Sequence, residues 1–411
     1  MGSRSPLLLV GACLLLHARA LWGFSAPPIA PASFSARTRL PGASQAAPAR
    51  FAVPGRIASR AAALRGLRDA ECQASGGKVG KRVCVVGGGF GGLFTAMKLA
   101  NLAPLAPDGS KAEITLIDPR DRFVFLPLLY ELVTGEMRDW EVAPVFEDLL
   151  QGSGIKFVQG SAVRIDQATR EVEVGVAAVA GGGSKVVEYD TLVLAGGAQQ
   201  KLPADNGAAA HALAFNRAED AKLLRQRLAA AKAAPRPGKA KASLVIVGGG
   251  YAGVELASSL ARENAGWATV TLLHRGAQLL PAAQRYSRIT AVQELHKAGV
   301  NVRTENSVLA VESNSIAVKV RDGESETLAA DVIVWTAGSG PSTLPSLGEF
   351  PTTKGGRVPV GPKLLVQGCT NVYALGDLAE CYDALGDLMP GNAQVAIQQA
   401  DCVAWNIHAS P

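Results

Sequence analysis

Two glycine-rich hexapeptides with the same spacing occur 161 residues apart, Gly87–Gly92 (GGGFGG) and Gly248–Gly253 (GGGYAG). Each follows a short apolar run typical of a buried strand and precedes a stretch with helical character. Glycines at these positions permit a tight turn, close approach of the backbone to a pyrophosphate and close packing of the helix on the strand. The helix then presents unpaired N–H groups and a partial positive charge to the phosphates. Two complete motifs predict two dinucleotide sites, and therefore electron transfer from one dinucleotide to the other.

The motifs indicate which residues should contact the dinucleotides. They are Gly87, Gly88, Gly89, Phe90 and Gly92 at the first turn and Gly248, Gly250 and Gly253 at the second. The alternative to two occupied dinucleotide sites is a pair of Rossmann-like halves in which the second site is empty.

The motifs belong to a longer internal repeat. Ile114–Asp118 matches Val270–His274, and Asp190–Gly197 matches Asp331–Gly338. The offset between matching segments falls from 161 to 141 residues along the chain, so the first half carries the longer loops. Each half is expected to form a βαβ unit, a small antiparallel insert and a return strand. The predicted fold class is α/β, with two Rossmann-like domains, one inserted in the other, and Ala229–Lys241 is expected to be a loose connection.

The ends of the second strands carry different side chains in the two halves. A carboxylate such as Asp118 accepts hydrogen bonds from a ribose diol in this position, although a surface acid would look the same. At the matching position stand His274 and Arg275. A carboxylate would repel a 2′-phosphate, whereas a guanidinium binds it bidentately, so this pair favours NADPH over NADH. The alternative is that Arg275 lies over the adenine ring.

Residues 1–68 contain nine arginines and no Asp or Glu. The apolar run Pro6–Leu16 is too short to span a bilayer and has the form of a secretory signal peptide, assigned to residues 1–20. Residues 21–79 resemble a transit peptide, and the tandem resembles the bipartite leader of complex plastids. A plastid location is therefore expected, with a mitochondrial or secretory protein as the alternative.

The charge and the cysteines exclude several classes of protein. The whole chain has a formal charge of +6, but residues 69–411 hold 32 basic and 35 acidic residues, a net charge of −3. Nucleic-acid binding thus loses its support. The six cysteines form no CxxC pair, which argues against a redox dithiol and against a metal site. Cys84, in a strand, is expected in the core.

Near the C-terminus, Gln394 and Gln398 are four residues apart and should share one helix face. Their neutral amides can hydrogen-bond the carbonyl groups of a flat ligand without adding charge to the site. An ordinary surface helix is the alternative.

Six segments of the chain together resemble the type II NAD(P)H:quinone oxidoreductases, particularly their plastid and demethylphylloquinone-reducing branch. They are Val83–Leu99, Arg122–Gly135, Ile246–Ala257, Val334–Gly338, Tyr373–Asp377 and Ala393–Gln399. The resemblance implies a two-dinucleotide-binding-domain flavoprotein. In such a protein a hydride passes from NAD(P)H to FAD, and two electrons then pass to a membrane quinone without proton pumping.

The resemblance also implies roles for individual residues. Pro127, Gly376 and Asp377 would contact FAD, with Asp377 at the ribityl chain, and Gly338 would lie at a dinucleotide. Gln394 and Gln398 would form the quinone site, while Glu255 would supply protons. The FAD domain is assigned to 80–205 and 342–411, and the NAD(P)H domain to 206–341.

Three expectations stay open at this point. Members of the family continue beyond the glutamine motif with membrane-anchoring helices, whereas this sequence ends at Pro411, so peripheral membrane contact is uncertain. A homodimer is possible. The alternative functions are a reductase of a soluble acceptor such as ferredoxin, and a flavin-bearing interaction protein with little turnover.

Overall fold

The computed structural model describes residues 82–102, 112–176, 182–321, 323–342, 344 and 349–409. The predicted signal peptide and transit segment lie outside these residues. Within them, no helix combines the length and the apolar character needed to cross a bilayer.

The first half of the chain builds most of a seven-stranded sheet. Its order is β18-β6-β1-β2-β3-β4-β5. The strands are β1 (Arg82–Val86), β2 (Glu113–Asp118), β3 (Lys156–Asp166), β4 (Glu171–Val176), β5 (Ser184–Glu188), β6 (Thr191–Leu194) and β18 (Val372–Ala374). The pairs from β18 to β3 are parallel, and β3, β4 and β5 pair antiparallel. The parallel strands are buried on both faces, which is why their sequences are nearly continuous apolar runs. Cys84 is fully buried there, as expected.

The second half repeats the pattern in a five-stranded parallel sheet, in the order β11-β10-β9-β15-β8. Its strands are β8 (Leu213–Ala214), β9 (Ala242–Val247), β10 (Ala268–Leu273), β11 (Asn301–Arg303) and β15 (Val332–Trp335). The antiparallel insert is a separate sheet of β12 (Ser307–Val311), β13 (Ser315–Lys319) and β14 (Ser325–Ala329). The predicted α/β class and the internal repeat are thus confirmed. The halves differ because β3 continues straight into the first insert, whereas a turn with Glu305 at φ +57° separates β11 from β12.

The helices that matter most for the sites follow the glycine turns or pack beside them. They are α1 (Phe90–Asn101), α2 (Leu129–Thr134), α3 (Asp139–Val142), α4 (Phe146–Leu150), α5 (Ala208–His211), α6 (Ala218–Ala233), α7 (Tyr251–Asn264), α8 (Arg285–Lys297) and α9 (Ala393–Ala409). The C-terminal α9 lies along α1, while the short α2 packs against both α6 and α7.

The expected loose connection at Ala229–Lys241 is wrong over its first five residues, because α6 continues to Ala233. Alanine has the highest helix propensity, and Leu228 and Ala231 are buried against the rest of the protein. The alanine-rich run therefore extends the helix.

Two short strands mark where the chain passes from the first sheet to the second and back. β7 (Ala198–Gln200) pairs antiparallel with β16 (Ser339–Pro341). A smaller pair, β17 (Val358–Pro359) with β19 (Ala379–Glu380), lies near the C-terminal segment. Gln200 joins the crossing to the second sheet, because its amide donates to the Trp335 carbonyl and accepts from the Phe215 N–H at 2.9 Å.

We expect Gln200→Leu to destabilise the protein by about 1–3 kcal/mol, since it leaves two partly buried backbone groups without partners. The melting temperature of the flavin-loaded protein, followed by circular dichroism, should fall by several degrees. Gln226→Leu is the matched control, because Gln226 is exposed on α6 and should change stability little. Equal melting temperatures for the two variants would contradict the role of Gln200.

Candidate functional site

The two glycine turns have the same backbone geometry. Their first glycines, Gly87 and Gly248, have φ of +106° and +124°, a region that L side chains rarely adopt. A Cβ at Gly92 would lie 1.8 Å from the Gly87 carbonyl oxygen, and one at Gly253 would lie 1.9 Å from that of Gly248. Each helix therefore begins directly against the end of its strand, and only glycine permits this contact.

The third glycine of each motif faces open space. A Cβ added at Gly89 or Gly250 would meet nothing within 4 Å, whereas one at Gly88 would lie 2.4 Å from the Phe146 ring. Gly89 and Gly250 are also the residues that precede α1 and α7. Both turns thus leave room for an anion in front of a helix N-terminus.

The ring of Phe90 is part of the hydrophobic core. The ring is buried and makes edge-to-face contacts with Phe123 and Phe125, at centroid distances of 5.0 and 5.3 Å. A contact of Phe90 with a dinucleotide stays a prediction.

Asp118 lies beneath the first turn, and its carboxylate is 3% exposed. It accepts a hydrogen bond from the Gly88 N–H at 2.7 Å, and Arg120 binds it bidentately at 3.0 Å. The carboxylate therefore fixes the turn while Arg120 compensates its charge. Asp118 ends β2 as expected, its contact with a ribose stays a prediction, and the sequence reasoning missed its partner Arg120.

His274 holds the matching place beneath the second turn. Its Nδ1 accepts the Gly249 N–H at 3.2 Å. Burial lowers the pKa of His274, and the neighbouring Arg275 lowers it further, against a backbone hydrogen bond at Gln278 that raises it. A neutral imidazole with Nδ1 as acceptor fits this geometry. The side chain of Arg275 is exposed beside it.

The residues that follow the return strand β15 pack against the second glycine turn. Thr336, one residue beyond it, donates its hydroxyl to the Val247 carbonyl at 3.0 Å. The predicted Gly338 follows with φ +76°, and its carbonyl accepts the Lys201 N–H at 2.9 Å where the chain crosses between the sheets. Gly338 therefore shapes the crossing next to the turn.

A third turn, at Gly376 and Asp377, follows β18. Gly376 has φ +71°, and its N–H donates to the Gln399 side-chain oxygen at 2.7 Å. Burial raises the pKa of the Asp377 carboxyl, with Arg357 opposing the shift. A Cβ at Gly391 would lie 2.8 Å from an Asp377 carboxylate oxygen. Gln399 and Gly391 thus position Asp377, and the sequence analysis assigned neither of them a role.

Helix α9 has two different faces. Gln394 and Gln398 are both exposed on one side, as their spacing predicted, whereas Gln399 is buried. Ala396 and Ala400 are also buried. Their small side chains therefore let α9 pack closely against α1 and are not part of its exposed face. Asn392 precedes the first residue of α9, and its side-chain oxygen accepts the Val395 N–H at 2.9 Å.

Glu255 lies near the start of α7. The carboxyl is half-buried, and burial raises its pKa to about 7. Helix α2 packs on α7. The pKa of Tyr130 in α2 is raised, chiefly by burial and further by the charges of Glu131 and Glu255. Pro127, in the 3-10 turn Leu126–Leu128 that precedes α2, is exposed.

Comparisons with known proteins agree with this geometry. Residues 81–400 match the family described as pyridine nucleotide-disulphide oxidoreductase. The chain belongs to this family. Demethylphylloquinone reductase NdbB of Synechocystis is 38% identical over 80% of this chain and 79% of its own length. The alternative NAD(P)H-ubiquinone oxidoreductase C1, chloroplastic/mitochondrial, of Arabidopsis thaliana is 33% identical over 80% of this chain and 67% of its own.

These relatives confirm the predicted resemblance to type II NAD(P)H:quinone oxidoreductases. Among solved structures, NDH2 of Plasmodium falciparum in complex with NADH superposes with a TM-score of 0.68 at 18% identity. That match covers 79% of this chain and 82% of the other, and it supports the fold.

The residues present fit FAD in the first half of this family member. The open space at Gly89 would accept a pyrophosphate. The turn at Gly376 and Asp377 follows β18, which pairs with β6, and so lies at the same carboxyl edge of the sheet. Parallel sheets bind their ligands at that edge. The second turn offers the same cradle at Gly250, with a neutral imidazole in place of the Asp118 carboxylate beneath it.

We expect Gly89→Val to yield folded but colourless protein, because the isopropyl group enters the space of the pyrophosphate. The absorbance ratio of flavin to protein after purification measures the effect. Gly266→Val is the matched control, since Gly266 also has open space around an added Cβ and lies in an exposed turn remote from both motifs. A yellow Gly89→Val protein with full flavin content would overturn the assignment of the first turn.

Proposed function

We propose that this protein is an FAD-dependent NAD(P)H:quinone oxidoreductase. The observation that carries the proposal is the pair of matched glycine turns with open anion cradles, in a chain whose relatives bear the names demethylphylloquinone reductase and NAD(P)H-ubiquinone oxidoreductase. FAD, when bound, supplies the capacity to accept a hydride and to release two electrons. The chain's own residues would bind FAD and NAD(P)H, orient them, and supply protons to the quinone.

The first sheet and the C-terminal segment would form the FAD domain, 80–205 and 342–411, and the second sheet would form the NAD(P)H domain, 206–341. Two observations support these limits. The strands β7 and β16 cross between the sheets close to both boundaries, and β18 returns to pair with β6 of the first sheet.

Glu255 is the proposed proton donor. Reduction of a quinone by two electrons consumes protons, and an acid with a pKa near the working pH delivers them best. The half-buried carboxyl of Glu255, with its pKa raised to about 7, meets this requirement. Because the protonated form is the donor, the rate of quinone reduction should fall as the pH rises through about 7.

The second turn would favour NADPH. His274 presents no negative charge to a 2′-phosphate. The exposed Arg275 guanidinium would bind that phosphate bidentately. The relatives differ here, since their names include both NAD(P)H and NADH enzymes.

Arg275→Glu should reduce kcat/KM for NADPH roughly ten- to a hundredfold, because a charge-assisted contact of about 1.5–3 kcal/mol is lost. The value for NADH should change much less. Arg227→Glu, a charge reversal at an exposed position of α6, is the control and should leave both values alike. Equal losses with the two nucleotides would remove the 2′-phosphate role from Arg275.

Gln394 and Gln398 would bind the quinone carbonyls from the exposed face of α9. We expect Gln394→Leu with Gln398→Leu to leave flavin reduction by NAD(P)H intact and to slow flavin reoxidation by duroquinone, a short-chain quinone. Stopped-flow absorbance separates the two half-reactions. Gln226→Leu with Gln293→Leu, at exposed positions of α6 and α8, is the control for two added leucines. Reoxidation at the wild-type rate would place the quinone elsewhere and favour a soluble acceptor.

The location would be the plastid, reached through the predicted leader in residues 1–79. The relatives support this proposal, since one is cyanobacterial and one is named chloroplastic/mitochondrial. Contact with the membrane would be peripheral, at the surface from which a lipid-soluble quinone is drawn.

A further inference from the structure

The chain is held by backbone hydrogen bonds on both sides of Arg275. The N–H of His274 donates to the last carbonyl of β11 at 2.8 Å, and the His274 carbonyl accepts the Asn306 N–H at 3.0 Å. The Gly276 carbonyl accepts the Glu305 N–H at 3.0 Å. Both neighbours of Arg275 are therefore fixed to the end of β11 and to the turn that follows it.

The loop that carries Arg275 is also fixed at its far end. Leu280 donates its N–H to the Gly249 carbonyl at 2.8 Å, and it does so with φ +50°. Glu305, which holds the near end, has φ +57°. Residues with a side chain rarely adopt this left-handed region, so the surrounding contacts must impose both conformations. The loop between these two residues is therefore held firmly against the second glycine turn.

The ring of His274 lies between two glycines. A Cβ added at Gly249 would lie 2.7 Å from the His274 Cγ, and one added at Gly276 would lie 2.8 Å from its Nε2. On the Gly249 side, the ring also accepts the backbone N–H through Nδ1 at 3.2 Å. The φ of Gly276 is outside the left-handed region, so the ring is what excludes a side chain at that position. The imidazole thus sets the spacing between the glycine turn and the loop.

The first turn shows what the imidazole changes. There Arg120 folds back onto Asp118, and its guanidinium binds the carboxylate bidentately at 3.0 Å. His274 accepts an N–H through Nδ1 and so offers no negative charge to Arg275, whose side chain is exposed. A guanidinium that is not bound to the residue beneath the turn keeps its donors for a phosphate.

We propose that Gly276 is a positioning residue for nucleotide choice, because its missing side chain lets the His274 ring hold Arg275 within reach of a 2′-phosphate. The inference rests on the proposed function, in which the second turn binds NADPH. With a methyl group at residue 276, either the ring moves away from Gly249 or the loop moves away from Glu305. Either movement shifts Arg275 relative to the turn, and a bidentate contact tolerates little displacement.

The pyrophosphate cradle has contacts of its own. The close approach of Gly253 to the Gly248 carbonyl sets the start of α7, and the Leu280 N–H holds the Gly249 carbonyl. Binding of the part that NADP⁺ and NAD⁺ share should therefore survive a substitution at Gly276. The effect should appear in the preference between the two nucleotides.

The experiment measures the dissociation constants of NADP⁺ and NAD⁺, which differ only in the 2′-phosphate, by calorimetry on flavin-loaded protein. Gly276→Ala should weaken NADP⁺ binding about tenfold and NAD⁺ binding less than about twofold, since only the phosphate contact is lost. Gly266→Ala is the matched control, because Gly266 has open space around an added Cβ and lies in an exposed turn of the same half. Both constants should be unchanged in that control.

A second background tests whether Gly276 acts through the ring. His274→Ala should itself weaken NADP⁺ binding, because it removes the group that sets the position of the loop. In that background Gly276→Ala should cause little further loss, since there is no ring to displace. If Gly276→Ala alone does not fold, the double variant decides. Folding restored by removal of the ring would support the packing, and continued failure would overturn it.

The outcomes separate two failures. If wild type does not prefer NADP⁺, or if Arg275→Glu leaves the preference unchanged, the proposed nucleotide choice fails and this inference fails with it. If Arg275→Glu abolishes the preference and Gly276→Ala does not change it, only the role of Gly276 is overturned. The same follows if Gly276→Ala weakens both nucleotides equally, or if its full effect persists in the His274→Ala background.

Discussion

The sites on this protein depend on how closely a helix can follow a strand. At both turns, a Cβ on the last motif glycine would overlap the carbonyl oxygen of the first, so the helix begins against the strand end. This contact aims the first helical N–H groups at the space in front of Gly89 and Gly250. The packing contact and the anion cradle are therefore one feature, and a substitution that relaxes the contact would also move the N–H groups away from the phosphates.

The two turns share one backbone geometry and differ in the side chain that accepts a hydrogen bond from the second motif glycine. Asp118 and His274 both receive the N–H of the second motif glycine, at 2.7 and 3.2 Å. The carboxylate is compensated internally by Arg120, whereas the imidazole is neutral and leaves Arg275 exposed. The first turn therefore presents little free charge of its own, and the second presents a cation. This difference is what would make the two cradles select different dinucleotides.

Features that depend on local sequence could be predicted, and features that depend on tertiary contacts could not. Strand periodicity and glycine spacing identified the sheets and turns, because each follows from a few neighbouring residues. Gln399 was passed over beside the paired glutamines, since one residue rotates the side chain by about 100° and turns it into the core. The use of α2 as a bridge was equally hidden, because nothing in a six-residue segment shows which helices of the other half it meets. The extension of α6 is a different case, because local sequence could have predicted it. The Ala, Lys and Pro composition was interpreted as a linker, although alanine has a high helix propensity.

The two faces of α9 explain how a flavin site and a quinone site can share one element. The buried face holds the Gly376 turn through Gln399 and packs along α1, whose N-terminus forms the first cradle. The exposed face carries Gln394 and Gln398. A quinone held by those amides would thus be fixed relative to both ends of the flavin nucleotide by a single rigid helix. Electron transfer by close contact requires such a fixed geometry, since a small misplacement of reacting groups is costly in rate. The buried Gln399 would therefore fix the position of the proposed quinone site relative to the Gly376 turn.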